Sequence, residues 1–404
     1  MKKTIAWIGL LAMAGLGIAG LQRAENKFPD ANDPERQLAA LRRSIAAEGL
    51  CWEAGETSMS VLSDEERSRR LGARLLPLPE DAVADEGDLA AVALPATLDW
   101  RNHGGNWVTG IRDQESCGSC WAFATVGVLE SLLKITKHMP GEIDLSEQSV
   151  LSCSGAGDCG GGYMGQASEF LRQTGAPRED CFPYSASDEA CHPCGGWMGK
   201  TVRITSFRQY GNPSPAALEN ALQTAPVAAF MEVYSDFYNY RSGIYERTAG
   251  SVYKGGHGIV IVGYNDAERY WICKNSWGPS WGESGFFRIR WGNCKIASYA
   301  VSLYGPRVSN TAPALAVVPA QVVDEGKELS FTLQGSDADL DGLTYGGSNL
   351  PEGAVVDPET GVFKWTPSHV QSGTYSVTLS ASDGIDTAYR TAAITVTNVK
   401  YKKW

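Results

Sequence analysis

Hydrophobic residues recur with a helical period in several parts of this chain, and these parts predict where its helices lie. Apolar residues three and four positions apart predict a helix over residues 35–50. A second helix is predicted to begin at Ser63, because Ser63 and Glu66 have the spacing of a capping box, and to end at Gly72. A longer apolar stripe that starts after Trp121 predicts a third helix, with Cys120 at its N-terminus.

Residues 310–399 alternate apolar and polar side chains instead, which is the period of a β-strand. Short alternating runs at 329–333, 375–379 and 393–396 are separated by Gly, Asp, Asn and Pro. This pattern predicts an all-β sandwich of about 90 residues. The motifs at 310–313, 324–326, 361–367 and 381–384 resemble those of bacterial cadherin-like or immunoglobulin-like modules. Such a module is expected to bind a cell-surface or matrix ligand, although fold alone does not fix function.

Four aspartates of this sandwich are candidate calcium ligands, because carboxylate oxygens are the ligands that Ca²⁺ prefers. They are Asp337, Asp339, Asp341 and Asp383. The alternative is that these residues occupy exposed turns, where aspartate is favoured in any case. A structural calcium ion is therefore the one cofactor that this domain could hold, and no cofactor is predicted for catalysis.

The N-terminus has the pattern of a secretory signal. Lys2 and Lys3 precede an uncharged, apolar run, which predicts a signal peptide over residues 1–21 and a protein that is secreted to the periplasm, cell surface or medium. Because the run is long for a signal peptide, a transmembrane anchor is the alternative. Residues 22–93 form a charged segment with one cysteine, which ends in an acidic, alanine-rich connector at 80–93.

Composition narrows the class of protein further. The 404 residues are 43% hydrophobic and 20% charged, which excludes a largely disordered chain. The formal net charge is −11, and residues 310–399, with 11 acidic and 3 basic side chains, supply −8 of it. An acidic chain lacks the basic face that nucleic acid requires, so no nucleic-acid partner is predicted. Ten cysteines are more than an ordinary cytosolic enzyme carries.

Two separated segments carry candidate chemistry. At a helix N-terminus, unpaired N–H groups and the helix dipole stabilise a thiolate, so Cys120 is a candidate nucleophile. His257 opens an apolar, β-branched run that predicts a buried strand, and Asn275 follows it by 18 residues. The Asn275 amide could orient the imidazole, and Trp277 could shield their hydrogen bond from water. The sequence therefore predicts a cysteine–histidine pair for nucleophilic catalysis.

The motif Cys-Gly-Ser-Cys-Trp at 117–121, with His257 137 residues and Asn275 155 residues after Cys120, resembles the papain-like cysteine peptidases. Further matching motifs lie at 99–101, 145–148, 159–163 and 275–282, so that the resemblance covers residues 94–304. It implies an α+β fold over residues 94–306 with two lobes, one helical and one resembling a β-barrel, followed by the all-β sandwich.

The resemblance also implies roles for individual residues. Cys120 would be the nucleophile, His257 the general acid and base, and Asn275 its orienting partner, while Gln114 would donate to the oxyanion. Substrate-binding positions carried over in the same way are Gly161, Gly162, Met164, Gly255, Gly256 and Trp277. Because glycines stand at 255 and 256, the specificity pocket is expected to be roomy and apolar.

Cysteine pairing follows from the same resemblance. It implies the disulfides Cys117–Cys159 and Cys153–Cys191, and leaves Cys181–Cys194 and Cys273–Cys294, with exchange between the second and third bridges open. Eight paired cysteines in the catalytic region leave Cys120 free. A zinc site at Cys191 and Cys194 is the rival interpretation, but it lacks a second pair of ligands.

The resemblance gives residues 22–93 the role of a helical pro-segment that inhibits the peptidase until it is removed. Cys51 is either a redox latch toward Cys120 or an unpaired thiol. The predicted function is a secreted, monomeric endopeptidase, made as a zymogen, that acts on protein or peptide substrates. An exopeptidase or peptide ligase with the same site, or an adhesin that uses the fold as a scaffold, are the alternatives.

Overall fold

The computed structural model describes residues 33–75, 94–138, 141–308, 311–337, 342–383 and 386–399. The predicted signal peptide 1–21 and the connector 80–93 lie outside these residues, and both stay predictions. In the part of the chain that is described, no helix is long and apolar enough to cross a membrane.

The described part of the predicted pro-segment, residues 33–75, contains two helices and one short strand. Asp33 caps the first helix by accepting a hydrogen bond from the Glu35 N–H at 3.1 Å, and Pro34 occupies the first helical turn. The predicted capping box of Ser63 and Glu66 is present at the second. These elements are α1 (Pro34–Ala47), β1 (Trp52–Ala54) and α2 (Asp64–Ser68). The second helix ends at Ser68, earlier than predicted. Gly72 does not terminate it and lies in the non-helical segment that follows.

A helical lobe follows. Its elements are β2 (Thr97–Asp99), α3 (Cys120–Lys137), α4 (Glu147–Cys153), β3 (Gly157–Asp158), β4 (Gly161–Gly162) and α5 (Met164–Gln173). Every residue of α3 from Cys120 to Lys134 is buried, so this helix is surrounded by the rest of the domain. It contacts α4 and α5 on the helical side and β8 and β11 of the sheet described next. Cys120 is therefore held at the junction of helices and sheet.

The second lobe is built on a nine-stranded sheet with the order β1-β7-β10-β9-β8-β6-β11-β5, in which β2 also pairs with β8. Its remaining elements are β5 (Val202–Gly211), α6 (Pro215–Leu222), β6 (Val227–Tyr234), β7 (Tyr240–Tyr245), β8 (Tyr253–Asn265), β9 (Tyr270–Lys274), β10 (Phe286–Arg290) and β11 (Tyr299–Val308). Strand β8 lies near the centre and is buried from His257 to Tyr264, as expected of a strand covered on both faces. Strand β1 of the pro-segment forms one edge.

Residues 311–399 form a separate all-β region with its own core. Its strands are β12 (Ala314–Leu315), β13 (Gln321–Asp324), β14 (Leu329–Thr332), β15 (Gly335–Ser336), β16 (Thr344–Ser348), β17 (Val355–Val356), β18 (Val362–Trp365), β19 (Gly373–Ser382) and β20 (Thr387–Thr397). The two larger sheets have the orders β13-β20-β19-β16 and β14-β18-β17. Phe363, Trp365 and Ile394 lie in the core that these strands enclose. The predicted α+β fold with an appended all-β domain is confirmed.

Candidate active site

Cys120 is the first residue of α3 and is completely buried. Burial raises the pKa of the thiol above its ordinary value, and the neighbouring backbone of Gly258, Gly72, Ala73 and Trp121 acts in the opposite direction to a smaller extent. Because Gly72 and Ala73 belong to the pro-segment, the thiol is covered from the side that a substrate would approach.

His257 lies on β8 and is held by two contacts. Its Nε2 is 2.7 Å from Asn275 Oδ1, and because an amide oxygen only accepts, the imidazole must donate from Nε2. The indole of Trp277 stacks on the imidazole with the ring centres 4.7 Å apart. In this tautomer Nδ1 keeps a lone pair, and among the described residues nothing donates to it. Burial lowers the pKa of His257 to about 4, so the ring is neutral at pH 7.

Gln114, the predicted oxyanion donor, is completely buried. Its Nε2 donates to the Cys117 carbonyl at 2.8 Å and to the Arg70 carbonyl of the pro-segment at 3.2 Å. The hydroxyl of Ser276, next to Asn275, donates to Gln114 Oε1 at 2.7 Å and fixes the orientation of the amide. A pro-segment carbonyl therefore occupies the amide donor that a developing oxyanion would need.

Residues 70–74 of the pro-segment cross the site, and we call them the strap. The Gly162 N–H donates to the Gly72 carbonyl at 2.8 Å, and the Arg74 N–H donates to the Gly162 carbonyl at 2.9 Å. On the other side the Ala73 N–H donates to the Gly256 carbonyl at 3.2 Å. Ala73 and Gly162 form a parallel bridge. The strap is thus bound through its main chain, between a short strand of the helical lobe and β8.

The glycines around the strap are required by close packing. A Cβ on Gly161 would lie 2.5 Å from the Gly72 carbonyl oxygen, and one on Gly256 would lie 2.3 Å from that of Ala73. The same Gly256 Cβ would be 2.6 Å from the ring of Phe230. The space at Gly255 is taken by Leu71, 3.0 Å from the position of a Cβ. The specificity pocket that was predicted to be roomy at Gly255 and Gly256 is therefore filled by the strap and by Phe230.

Two other predicted substrate-binding residues lie inside the protein. Met164 begins α5 and is 1% exposed. Trp277 is also 1% exposed and packs against Phe237, Tyr238 and Trp281 in addition to His257. Within the predicted site, Trp277 contacts the His257 imidazole.

Three of the four expected disulfides are present, and the fourth is not. They are Cys117–Cys159, Cys153–Cys191 and Cys181–Cys194. The prediction of Cys273–Cys294 is wrong, because both thiols are free and buried in separate surroundings. Cys273 lies within β9 opposite Phe287, whereas the Cys294 thiol, in the turn after β10, donates to Asn293 Oδ1 at 3.1 Å.

The remaining cysteine hypotheses are resolved by the same contacts. The zinc interpretation is wrong, because Cys191 and Cys194 are bonded to different partners in two disulfides. Cys51 is exposed just before β1, where its carbonyl accepts from the Ile244 N–H at 2.8 Å. Cys51 and Cys120 are both free thiols, the first exposed and the second buried under the strap. The structure therefore contains no disulfide latch between them.

The calcium prediction stays untested. Asp339 and Asp341 lie outside the described residues. Asp383 is buried, and its Oδ1 accepts from the Asp386 N–H at 2.6 Å, as expected of an aspartate in a turn. Asp337 lies at the end of the segment 311–337. Within the ranges that the structure describes, no three acidic, histidine or cysteine side chains are grouped to hold a metal ion.

Three residues of the site were missed in the sequence. Ser276 orients Gln114, Arg70 supplies the carbonyl that occupies it, and Tyr184 hydrogen-bonds to both Ser119 and the Gln114 carbonyl. Ser276 stands beside Asn275 in a recognised motif and could have been inferred from that position. Arg70 and Tyr184 lie 44 and 70 residues from Gln114 in the sequence. No local motif indicates that either residue contacts Gln114.

Comparison with known proteins accounts for this arrangement. Residues 94–304 match the family described as "Papain family cysteine protease", and residues 312–397 match "Putative Ig domain". Mouse cathepsin S is 36% identical over 265 residues, which are 61% of this chain and 75% of the mouse protein. Cathepsin B-like CP1 of Giardia intestinalis is 34% identical over 66% of this chain and 93% of its own length.

Solved zymogen structures give the same result. Digestive procathepsin L2 of Tenebrio molitor superposes with a TM-score of 0.59 at 28% identity, over 67% of this chain and 91% of its own. Procathepsin L3 of the same insect gives 0.56 at 28% identity, over 68% of this chain and 89% of its own. The chain is a member of the papain family of cysteine proteases and carries an Ig-like domain after the protease domain.

Proposed function

We propose that this protein is a secreted endopeptidase, made as a zymogen, that hydrolyses peptide bonds through a thioester on Cys120. The observation that supports this proposal most directly is the hydrogen-bonded pair of His257 and Asn275 at 2.7 Å. His257 lies on β8, which packs against α3, the helix that begins at Cys120. Three disulfides within one catalytic domain are typical of an oxidising compartment, which supports secretion.

In the proposed reaction the Cys120 thiol gives its proton to His257 Nδ1, and the sulfur attacks the peptide carbonyl carbon. The resulting oxyanion accepts hydrogen bonds from Gln114 Nε2 and from the Cys120 N–H. His257 then protonates the leaving amine as the C–N bond breaks, which leaves a thioester. Water attacks this thioester, gives a proton to His257, and releases the carboxylic acid as the C–S bond breaks and the thiol is restored.

Latency in the proposed zymogen has two physical causes. The strap fills the cleft and presents the Arg70 carbonyl to the oxyanion donor Gln114. It also excludes water, so burial raises the pKa of Cys120 and lowers that of His257 to about 4. The two groups are then a neutral thiol and a neutral imidazole, and a nucleophilic thiolate is not favoured.

The decisive experiment processes the full chain by limited proteolysis within residues 76–93 and treats it with iodoacetamide. Cys120 is expected to be alkylated rapidly and to lose all peptidase activity in parallel, with Cys120→Ala as the inactive control. Mass spectrometry separates Cys120 from Cys273 and Cys294, which are buried free thiols. A processed protein whose Cys120 is not alkylated, or which cleaves no peptide, contradicts the proposal.

Digestion of peptides with blocked and with free ends tests the endopeptidase assignment. Internal cleavage of peptides blocked at both ends is expected, whereas an exopeptidase would cleave only those with a free terminus. Appearance of joined peptides would indicate a ligase.

For the Ig-like domain we propose a role in holding the peptidase at a cell surface or matrix. The domain has its own buried core, so it can carry a binding surface independently of the cleft. Deletion of residues 311–404 is expected to leave kcat and KM on short peptides unchanged and to abolish retention on the producing cells. Unchanged retention would contradict this role.

A further inference from the structure

Tyr184 lies between two parts of the catalytic site. Its hydroxyl oxygen is 2.8 Å from the Gln114 carbonyl oxygen and 2.7 Å from the Ser119 hydroxyl. Ser119 immediately precedes the nucleophile Cys120, and Gln114 is the oxyanion donor. One phenol therefore connects the main chain of the oxyanion donor with the residue before the nucleophile.

The directions of these hydrogen bonds follow from the acceptors. A carbonyl oxygen only accepts, so the Tyr184 proton points to Gln114. The Ser119 hydroxyl must then donate its own proton to the Tyr184 oxygen. Because Ser119 is completely buried, its hydroxyl needs a partner inside the protein, and Tyr184 supplies it.

This arrangement explains an unusual feature of α3. A serine at the N-cap normally accepts a hydrogen bond from the second or third N–H of its helix, which here are those of Trp121 and Ala122. Ser119 makes no such bond with its side chain. The Ala122 N–H instead donates to the Ser119 carbonyl at 2.8 Å, and the backbone of Trp121 lowers the pKa of the Cys120 thiol. The Ser119 side chain therefore leaves the Trp121 N–H free to stabilise the thiolate.

Tyr184 is itself held firmly. Its ring packs edge-on against Phe123 with the centres 4.8 Å apart, and its N–H donates to Glu179 Oε1 at 2.6 Å. The disulfide Cys181–Cys194 closes the loop that carries it. Burial raises the pKa of the Tyr184 phenol, and the charges of Glu147, Glu115 and Cys120 raise it further.

We propose that Tyr184 is a positioning residue of this peptidase: it holds the Ser119 hydroxyl away from the first turn of α3 and holds the Gln114 main chain in place. The inference rests on the proposed function, because it assigns a role within the same site. Without the phenol oxygen, the Ser119 hydroxyl turns to the Trp121 N–H and competes with the Cys120 thiolate for it.

The first test replaces Tyr184 by Phe in the full chain, which is then processed within residues 76–93. Phenylalanine keeps the ring contact with Phe123 and removes only the hydroxyl. We expect kcat to fall about tenfold with little change in KM, because a helix N–H and a fixed oxyanion donor act mainly on the transition state. The pH midpoint of Cys120 alkylation should rise by about one unit. Tyr210→Phe, which removes a hydroxyl 3.2 Å from that of Tyr304, is the control and should change neither value.

A double-mutant comparison separates positioning from mere stabilisation of the loop. Ser119→Ala removes the competing hydroxyl, so the alkylation midpoint should stay at the wild-type value in S119A and also in S119A/Y184F. If Tyr184 only stabilised its loop, Y184F would shift the midpoint equally in both backgrounds, and the proposal would be overturned. In the double variant kcat should remain below that of S119A, because Gln114 still lacks its donor.

Two further outcomes are distinguishable. An unaltered kcat and alkylation midpoint in Y184F, with an active wild type, overturns the inference alone. An inactive, unlabelled wild type contradicts the proposed function instead. Should Y184F fail to fold, the test is made by comparing S119A/Y184F with S119A. Neither of these variants has a Ser119 hydroxyl that could be left without a partner at the start of the helix. A shifted midpoint in that pair would then overturn the inference.

Discussion

The pro-segment contacts the protease domain in two ways that differ in kind. The first contact, which we call the anchor, is β1 with its flanking residues 48–59, and it adds a large buried side chain to its main-chain pairing with β7. Trp52 is 4% exposed, packs against Tyr240 and Tyr245, and donates from its indole to the Glu246 carbonyl at 2.9 Å. The strap at 70–74 instead depends on main-chain hydrogen bonds and on glycines that leave no room for a side chain.

This difference separates binding from inhibition. A buried tryptophan removes a large apolar surface from water and is therefore the main source of affinity. The strap carries no aromatic side chain, but it covers Cys120 and occupies Gln114. The anchor holds the strap at a high local concentration over the cleft, so a strap of weak intrinsic affinity is enough to block it.

The largest effect is expected from removing the anchor. Trp52→Ala should weaken the pro-segment contact by about 3–5 kcal/mol, because it deletes a buried indole and leaves a cavity. The open fraction of the full chain should rise by a factor of at least about 100, measured as Cys120 alkylation at neutral pH. Cys51→Ser alters the neighbouring, exposed side chain and is the matched control. Full latency in Trp52→Ala would show that the strap binds without the anchor.

Acid is expected to act on the strap, with an effect on the order of 2–3 kcal/mol. The pKa of His257, about 4 under the strap, is below the ordinary histidine value of 6.5. The uncovered or unfolded state therefore binds more protons between these pH values, and the closed state loses stability as pH falls from 6.5 to 4. Stability is fully retained above pH 6.5.

The measurement compares thermal unfolding of full-chain Cys120→Ser with that of Cys120→Ser/His257→Asn between pH 7 and 4. Burial raises the pKa values of Glu179 and Glu219 to about 7, so these acids have the opposite effect on the slope. Only the difference between the two variants isolates His257. Equal slopes would contradict a neutral, buried His257 in the zymogen.

A smaller, purely steric effect is expected at Gly72. A Cβ there would lie 1.9 Å from the Gly118 carbonyl oxygen, so Gly72→Ala must lift the strap by shifting main chain, at a cost of about 1–3 kcal/mol. Cys120 alkylation in the full chain should accelerate while hydrogen exchange at β1 stays unchanged. Gly199→Ala, where no atom lies within 4 Å, is the control. Faster exchange at β1 would show that anchor and strap open together.

The smallest effect is expected at the ion pair of the strap. Arg70 Nη1 is 2.6 Å from Asp113 Oδ1, and the aspartate side chain is 43% exposed. Arg70→Ala should therefore cost about 1 kcal/mol or less, and the alkylation rate should rise only a few fold, less so at high salt. Arg69→Ala, which breaks an ion pair within the pro-segment, should leave latency unchanged. A loss of latency as large as that of Trp52→Ala would contradict the division between anchor and strap.

The candidate catalytic residues could be identified because they stand in local motifs with fixed spacing. Cys120 at a helix start and His257 at the start of an apolar run are both marked by changes of hydrophobic period. The same periods indicated the all-β domain, whereas the two-lobed α+β fold followed from the family resemblance that the motifs carry. The position of the strap was not predictable, since Gly72 has the appearance of a helix terminator. Its role depends on Gly118, Gly162 and Gly256, which are distant in the sequence.

The incorrect disulfide has an equally physical cause. Pairing every remaining cysteine assumes that each thiol has another within reach, but Cys273 points into a core beside β10 and Cys294 lies in a turn next to Asn293. Burial raises the pKa of Cys294 to about 12 and holds that of Cys273 well above its ordinary value, so both thiols remain protonated and unreactive. Counting cysteines cannot distinguish such inert thiols from bonded ones.

Strand β1 has a consequence for the processed enzyme. It forms one edge of the nine-stranded sheet, so its departure makes β7 the new edge. The Ile244 N–H then loses the Cys51 carbonyl, and the rings of Tyr240 and Tyr245 lose the indole that covered them. An open edge beside bare aromatic rings is a template for pairing with another chain. We therefore expect the processed enzyme to aggregate more readily than the full chain.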